Sequence, residues 1–358
     1  MINTERLVNT FLEIVRIDSP SGEEGEMVVD IIKRLDDLNI KYEKDSFGNV
    51  IAHTDGDGEP IVLAVHLDTV EPGRGIEPIV ENGLIKSRGK TILGADNKNA
   101  VAAVLEILQV IKENNLIAKP LDLVFTLSEE TANWGAVNLD YSMLRAKSGF
   151  SFDSSNPIGG IIIGSPFYYR FDIKILGRAN HASVPEKAVN ALNIFHEALK
   201  EITLGRVDND TICNIGTLEG GHVRNTIPGE LVLKGEVRSF YEEKARSNTD
   251  KIIDIFDLKA KLFGGNIEYK TLQENPGFIF GENDELVVRA KKIMDEMNIS
   301  SKTMKVYGCF DANIFYDKGI KILNLADGSK YSHSMEEELK VSDLENLAKI
   351  ALNLALHN

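Results

Sequence analysis

Short apolar runs, "IVLAVHL", "LDLVFTL" and "GFSF", alternate with a long apolar helix pattern, "AVAAVLEILQVIKE", which lies between the first two. Continuous or alternating apolar runs bounded by polar or glycine-containing loops read as buried strands, and the intervening stretch is rich in good helix formers. That alternation predicts an α/β sheet covered by helices. Residues 4–16 and 24–38 add two helices, the second with Val28, Ile31, Ile32 and Leu35 on one face. Each strand run ends in a cluster of acids or a histidine. Ligands of open α/β sheets gather beyond the carboxyl ends of strands, so the placement is informative before any chemistry is considered.

From about residue 168 the texture changes to strand, helix, strand, strand, helix, strand: "YYRFDIKIL", "AVNALNIFHEALKEI", "ICNIGTLEG", "ELVLKGEVRSF", "KARSNTDKIIDIFDLKAKLF" and "NIEYKTL". This is the split βαβ order of a ferredoxin-like module. After about residue 275 the earlier signals resume and end in the amphipathic helix "VSDLENLAKIALNLAL". A chain of 358 residues exceeds the usual size of one core, so two domains are expected. The predicted division is a discontinuous catalytic domain, 1–166 and 275–358, interrupted by a smaller one, 167–274.

A net charge of −15 argues against a nucleic-acid backbone or an anionic membrane as partner, because each phosphate contact needs a cation. No apolar run approaches the ~20 residues needed to span a bilayer, and "MINTERLVNTF" lacks the basic-then-apolar order of a secretion signal, so a cytoplasmic location is expected. Cys213 and Cys309 are too few for a disulfide framework and unsuited by spacing to a thiolate zinc site. Any metal is therefore held by histidine and carboxylates.

Candidate ligands follow from the strand ends. In "LAVHLDTV", His66 and Asp68 stand two residues apart and point to one side of an extended segment, which suits a metal ligand and its orienting partner as well as a core histidine held by an acid. Further clusters are "LGADNKNA" with Asp96, "TLSEET" with Glu129 and Glu130, "SFDSS" with Asp153 and "KYSHSMEEE" with His333. Singly, Asp96 reads equally as a helix cap, Glu129 and Glu130 as a solvated loop, Asp153 as a turn residue and His333 as a surface histidine. Jointly, two histidines and three carboxylates are what a pair of divalent ions needs if one carboxylate bridges them, with a fourth left to move a proton. Neighbouring side chains diverge on a turning backbone, so Glu130 can ligate while Glu129 serves as base. Imidazole and carboxylate donors suit Zn2+, with Co2+ or Mn2+ as substitutes.

The ordered set "HLDTV", "GADNK", "SEE", "FD" and "SH", interrupted by a module containing "GRANHASVPEKAVNA", resembles the co-catalytic zinc exopeptidase family that contains peptidase T, carboxypeptidase G2 and the aminoacylases. The phrases "TILGADNKNAVAAVLEIL" and "GRANHASVPEKAVNA" look most similar to its peptidase T (tripeptide aminopeptidase) branch. The resemblance implies a mixed-sheet α/β/α catalytic domain of the phosphorylase/hydrolase-like kind, with the inserted βαββαβ module as a lid and dimerisation domain. It implies that Asp96 bridges two metal ions, that His66 and Asp153 complete one and Glu130 and His333 the other. Asp68 then orients His66, and Glu129 is general base and then acid. His181, in "ANHAS", matches a histidine that reaches across a dimer interface to steady the oxyanion; its alternative is a loop histidine. Asn225, in "VRNTIPG", and Arg238, in "GEVRS", match positions that hold the substrate's carbonyl or carboxylate. For Arg238 a sheet-surface ion pair is the competing reading.

The chain also departs from the family pattern. Asn97-Lys98-Asn99 follows the bridging aspartate where relatives carry Asp-Lys-Ala/Ser-Gly, and the family's peptide after that aspartate is typically cis. Asn133 and Trp134 stand where small or glycine residues are usual, the indole at a place where it can narrow the substrate pocket. Cys309 and Phe310 replace smaller residues near Asp311. The expected function is hydrolysis of an amide bond in a small peptide with release of the N-terminal residue, by a homodimer whose lid closes about hinges near residues 165–168 and 273–277. The alternatives are an N-acyl-amino-acid deacylase on the same scaffold, and a non-catalytic peptide- or metal-binding protein.

Overall fold

The computed structural model describes residues 1–356, which form two compact units. The larger comprises Met1–Ile163, Phe280–Val306 and the chain from Phe310 onward; the smaller comprises Gly164–Ile279 together with Tyr307–Cys309. The units divide at Ile163/Gly164 and Ile279/Phe280, where the change in texture placed the expected boundaries at 166/167 and 274/275. The tripeptide Tyr307–Cys309 belongs with the inserted unit although it lies well beyond it in sequence.

In the larger unit a mixed sheet runs in the order Lys41–Lys44, Val50–His53, Leu121–Thr126, Ile61–His66, Ser148–Phe152, Lys321–Leu325, Gly160–Ser165. The four central strands, Leu121–Thr126 to Lys321–Leu325, are mutually parallel, and the flanking pairings are antiparallel. Every residue of Ile61–His66 and of Leu121–Thr126 is buried. Successive side chains face opposite ways, so complete burial means that both faces of the sheet are covered. The helix Ala95–Asn114 packs on Ile61–His66 and against the helices Thr4–Ile14 and Val341–Leu356. Its alanines let it be buried from Ala100 to Leu108, and the one charged residue in that stretch, Glu106, accepts from the Arg6 guanidinium and the Asn3 N–H. A separate three-stranded sheet pairs Pro78–Glu81 with Leu84–Ser87 and the latter with Glu338–Lys340, which anchors the chain that carries His333.

In the smaller unit, five antiparallel strands run in the order Gly205–Arg206, Thr211–Gly220, Glu230–Ser239, Phe167–Leu176, Asn266–Asn275. Leaving out the two-residue edge strand, the element order is βαββαβ, as the sequence predicts. Phe171, Ile173 and Ile175 alternate inward on one strand, and Leu231, Leu233 and Val237 on its neighbour. They share a core with Ile194 of the helix Ala191–Leu199 and with Ile252 and Phe256 of the helix Glu242–Leu262. The first helix starts later than its apolar pattern because the Asn190 side chain accepts from the Leu192 N–H and caps it.

Candidate metal centre

The four central parallel strands end on one edge of the sheet, and their carboxyl ends deliver His66, the Ser128–Glu130 turn, Asp153 and Asp327. His66 Nε2 lies 3.2 Å from Asp96 Oδ1 and 3.7 Å from Asp153 Oδ1. His333 Nε2 lies 2.9 Å from Glu130 Oε1 and 3.5 Å from Asp96 Oδ2. Asp96 thus turns one carboxylate oxygen to each imidazole. Three donor sets, His66/Asp96/Asp153, Asp96/Glu130/His333 and His66/Glu129/Glu130, each gather one ligand atom per residue within 4.8 Å. The five expected ligands come together, with Asp96 common to the first two sets.

The backbone that carries Asp96 is held from two directions. The N–H groups of Leu93 and Gly94 donate to Glu337 Oε2 at 2.8 and 2.7 Å, and that of Asp96 to Glu337 Oε1 at 3.1 Å. Gly94 adopts φ +71°, a left-handed conformation that glycine takes without penalty, and the Asp96–Asn97 peptide is cis. The Asn97 amide donates to the Phe152 carbonyl, which ties this turn to the strand preceding Asp153. The three departures after Asp96 all have structural partners or surroundings. Lys98 is fully buried, donates to the Ile17 carbonyl at 2.7 Å and is pushed down to about 8 by burial; Asn99 donates to the Asp327 carbonyl at 3.3 Å. Asn324, from the strand Lys321–Leu325, clamps Asp153 reciprocally: it accepts from the Asp153 N–H at 2.9 Å and donates to the Asp153 carbonyl at 2.7 Å.

Asp68 lies behind His66, as its spacing suggested. Its carbonyl is 3.1 Å and its Oδ1 3.3 Å from His66 Nδ1, and the carboxylate also accepts the Ser21 hydroxyl at 2.6 Å and the N–H groups of Glu129 and Glu130 at 2.9 and 3.1 Å. The turn bearing the two glutamates is compact: a Cβ on Gly135 would fall 2.2 Å from the Leu127 carbonyl oxygen. Glu129 accepts from the Asn133 amide at 2.7 Å. Trp134, expected at a pocket rim, is 51% exposed.

Charge decides what this cluster can hold. Burial pushes Glu129 and Asp153 above the ordinary carboxylate range and Glu130 up to about 7, with neighbouring carboxylates adding to each. Burial pushes Asp96 up as well, but hydrogen bonds to His333 and His66 outweigh it and hold the carboxyl below its usual range. For His66 burial favours the neutral ring, yet its bonds to Asp153, Asp68 and Asp96 raise it well above the usual imidazole value; Asp96 and Glu130 lift His333 to about 10. Four buried or half-buried carboxylates beside two imidazoles demand positive charge, and protons supply it wherever a cation does not. Oxygen and imidazole donors in two groups sharing one aspartate fit two divalent ions.

The remaining expected site residues lie in the smaller unit. His181 pairs with Thr226 in a short antiparallel ladder, and its Nδ1 is 2.7 Å from the Ser183 hydroxyl and 3.2 Å from the Ser183 N–H. A backbone N–H can only donate, so in the neutral ring Nδ1 accepts and Nε2 carries the proton. Asn225 lies 3.4 Å from that Nε2. Arg238 pairs with Glu236 at 3.1 Å, donates to the Tyr307 carbonyl at 2.8 Å and stacks over the Tyr168 ring. These are the partners that its ion-pair reading called for, with Tyr307 an addition that sequence order did not suggest.

A parallel-stranded sheet that gathers two histidines and three carboxylates about a shared aspartate defines a metallohydrolase of the two-metal class. The chain belongs to peptidase family M20/M25/M40, whose model matches residues 62–357. It is 34% identical to the uncharacterized protein YqjE of Bacillus subtilis across 98% of each chain. Its fold superposes on the aminopeptidase PepT from Bacillus cereus with a TM-score of 0.96, at 33% identity over 99% of this chain and 98% of that one. A tripeptidase from Staphylococcus aureus matches with a TM-score of 0.97, again at 33% identity over 99% and 98%.

Proposed function

We propose that this metallopeptidase is an aminopeptidase that releases the N-terminal residue of small peptides, tripeptides foremost, using two divalent ions, zinc being the ion best suited to the donors. The observation that carries the reading is Asp96, one oxygen toward each imidazole, with Glu129 as a further buried carboxylate beside the ligand set. His66, Asp96 and Asp153 would hold one ion and Asp96, Glu130 and His333 the other. When bound, such ions polarise a carbonyl and acidify a water. Asp68 accepts the His66 Nδ1–H, which leaves the Nε2 lone pair on the side of Asp96 and Asp153. Glu129 takes a proton from the attacking water at its carboxylate and returns it to the departing amine. His181 of a second copy would donate its Nε2–H to the oxyanion, with Asn225 and Arg238 as substrate-binding candidates.

The copy is expected to be identical, in a homodimer. The edge strand Gly205–Arg206 pairs with Thr211–Gly220 only at Ile212 and Cys213 among the described residues, which leaves the outer side of Thr211–Gly220 beyond them without a strand. No helix among the described residues is long and apolar enough to cross a membrane, and a cytoplasmic location is part of the proposal.

Metal analysis of the purified protein together with a panel of tripeptides, dipeptides and N-acyl amino acids tests the reading. Two ions per chain and preferential turnover of tripeptides are expected. Turnover confined to N-acyl amino acids would replace the reading with deacylation, and a metal-loaded protein inert to the whole panel would overturn it.

A further inference from the structure

Beneath Glu129 lies a chain of buried hydrogen bonds that the ligand set does not use. The Asn133 amide nitrogen donates to Glu129 Oε1 at 2.7 Å and to Asp311 Oδ1 at 3.1 Å, and the Thr126 hydroxyl donates to Asp311 Oδ2 at 2.6 Å. All four residues are buried. Thr126 is the last residue of a central strand and Asp311 the first of the helix Asp311–Asp317, so the chain of contacts starts on rigid elements and ends at the glutamate. An amide nitrogen has two hydrogens, and here each meets a different carboxylate. The Asn133 backbone is left-handed, φ +56°, and its N–H donates to the Glu129 carbonyl at 2.8 Å, which closes the turn so that its side chain comes back beneath Glu129.

We propose that Asn133 is a positioning residue, whose amide, itself held by Asp311 and Thr126, aims the Glu129 carboxylate for proton transfer. A glutamate side chain has three rotatable bonds, and a base must lie within hydrogen-bond reach of the proton it takes. One donor on one carboxylate oxygen fixes the rotamer and leaves the other oxygen for chemistry. The departure from the family pattern at this position thus acquires a defined contact. The inference rests on the assignment of Glu129 as the proton-transfer group.

The test is a double-substitution cycle on the metal-loaded enzyme. Asn133→Gly deletes the amide yet keeps a backbone conformation that glycine adopts freely. It is expected to lower kcat by about one to two orders of magnitude, the scale for a misplaced catalytic group, with KM changed by less than about twofold. Metal content should stay at the wild-type value, the melting temperature should fall because Asp311 and Glu129 each lose a buried donor, and a crystal structure of the variant should show the Glu129 carboxylate turned from its present rotamer. In a Glu129→Gln background the same substitution should leave the residual rate unchanged within about twofold, because its effect passes through Glu129. Thr126→Val, which frees one Asp311 oxygen, should give a smaller loss of kcat, and it carries the cycle if Asn133→Gly does not fold. Unaltered kcat, or an equal loss in both backgrounds, overturns the proposal. Those results leave the peptidase reading intact, whereas a wild-type protein without peptide turnover removes both.

Discussion

The Asp68 carboxylate accepts the Glu129 backbone N–H at 2.9 Å through the oxygen that faces His66 Nδ1 at 3.3 Å. One buried acid therefore sets both the orientation of the His66 imidazole and the seat of Glu129. Burial tends to raise it, but the His66 bond, the Ser21 hydroxyl and the Glu129 N–H together hold it below the ordinary aspartate value.

Asp68→Asn keeps the shape and presents an NH2 to groups that are themselves donors. A metal affinity about 10 to 100 times weaker is expected, the usual loss when the partner of a ligating histidine is removed. Competition with a chromogenic chelator measures it, and wild-type affinity would contradict the orienting role.

Glu129 and Glu130 are adjacent but predicted to fail differently. Glu129→Gln should retain both ions and lose about 10²–10⁴ in kcat. Glu130→Gln should lose metal first, seen as substoichiometric binding by elemental analysis. Equal metal loss in both variants would mean that the two carboxylates share one role.

Stripping the metals should make stability depend on pH with a definite sign. Burial, the largest cause in each case, raises Asp311 from 3.8 to about 6, Glu337 from 4.5 to about 7 and Glu130 from 4.5 to about 7. The folded protein then keeps protons that the unfolded chain has released. Their contribution is complete below the unfolded values and is lost as pH rises through about 7, so the metal-free melting temperature should fall between about pH 5 and pH 8. His333, raised from 6.5 to about 10, acts in the same direction, whereas the lowered Asp96 matters only below about 4. Restored metal should raise the melting temperature most at the alkaline end; a metal-free protein that melts higher at pH 8 would contradict the charge argument.

Glu337→Gln tests the cradle under Asp96. The amide retains one acceptor oxygen for three N–H donors and sets its own donors against them, at a cost of about 1–3 kcal/mol for the groups left unpaired. A lower melting temperature and weaker metal binding should appear together. A loss of stability with unchanged affinity would confine Glu337 to a structural role.

The cluster of His66, Asp96, Glu130, Asp153 and His333 was legible because each follows an apolar strand or sits in a short polar cluster between strong patterns, and the ends of parallel strands stay on one edge whatever their order in the sheet. The βαββαβ insertion was legible for a similar reason: its inward alternation at Phe171, Ile173 and Ile175 switches cleanly to helical periodicity. Glu337 was not, since it is the middle acid of "MEEEL", and nothing in a run of identical residues tells the buried one from its neighbours. At Asn133 the sequence shows only a departure from the family pattern, because its two bonds depend on a left-handed turn and on a helix start far along the chain. Asn324 does carry a signal, since an amide within the apolar strand "KILNL" has to find buried partners. The association of Tyr307–Cys309 with the inserted unit rests on Arg238, Arg206 and Phe240, contacts across long sequence separations that no local pattern encodes.

Lys321–Leu325 occupies the middle of the large sheet, between Ser148–Phe152 and Gly160–Ser165, yet it is synthesised only after the whole insertion. A nascent chain halted inside the insertion has the two neighbours but not the strand that joins them, and it lacks the second imidazole as well. The larger unit's sheet thus cannot be completed before the insertion has been made, whereas every strand of the insertion's own five-stranded sheet lies in one contiguous stretch. Cations held by both imidazoles would therefore have to wait for the segment that carries Lys321–Leu325 and His333.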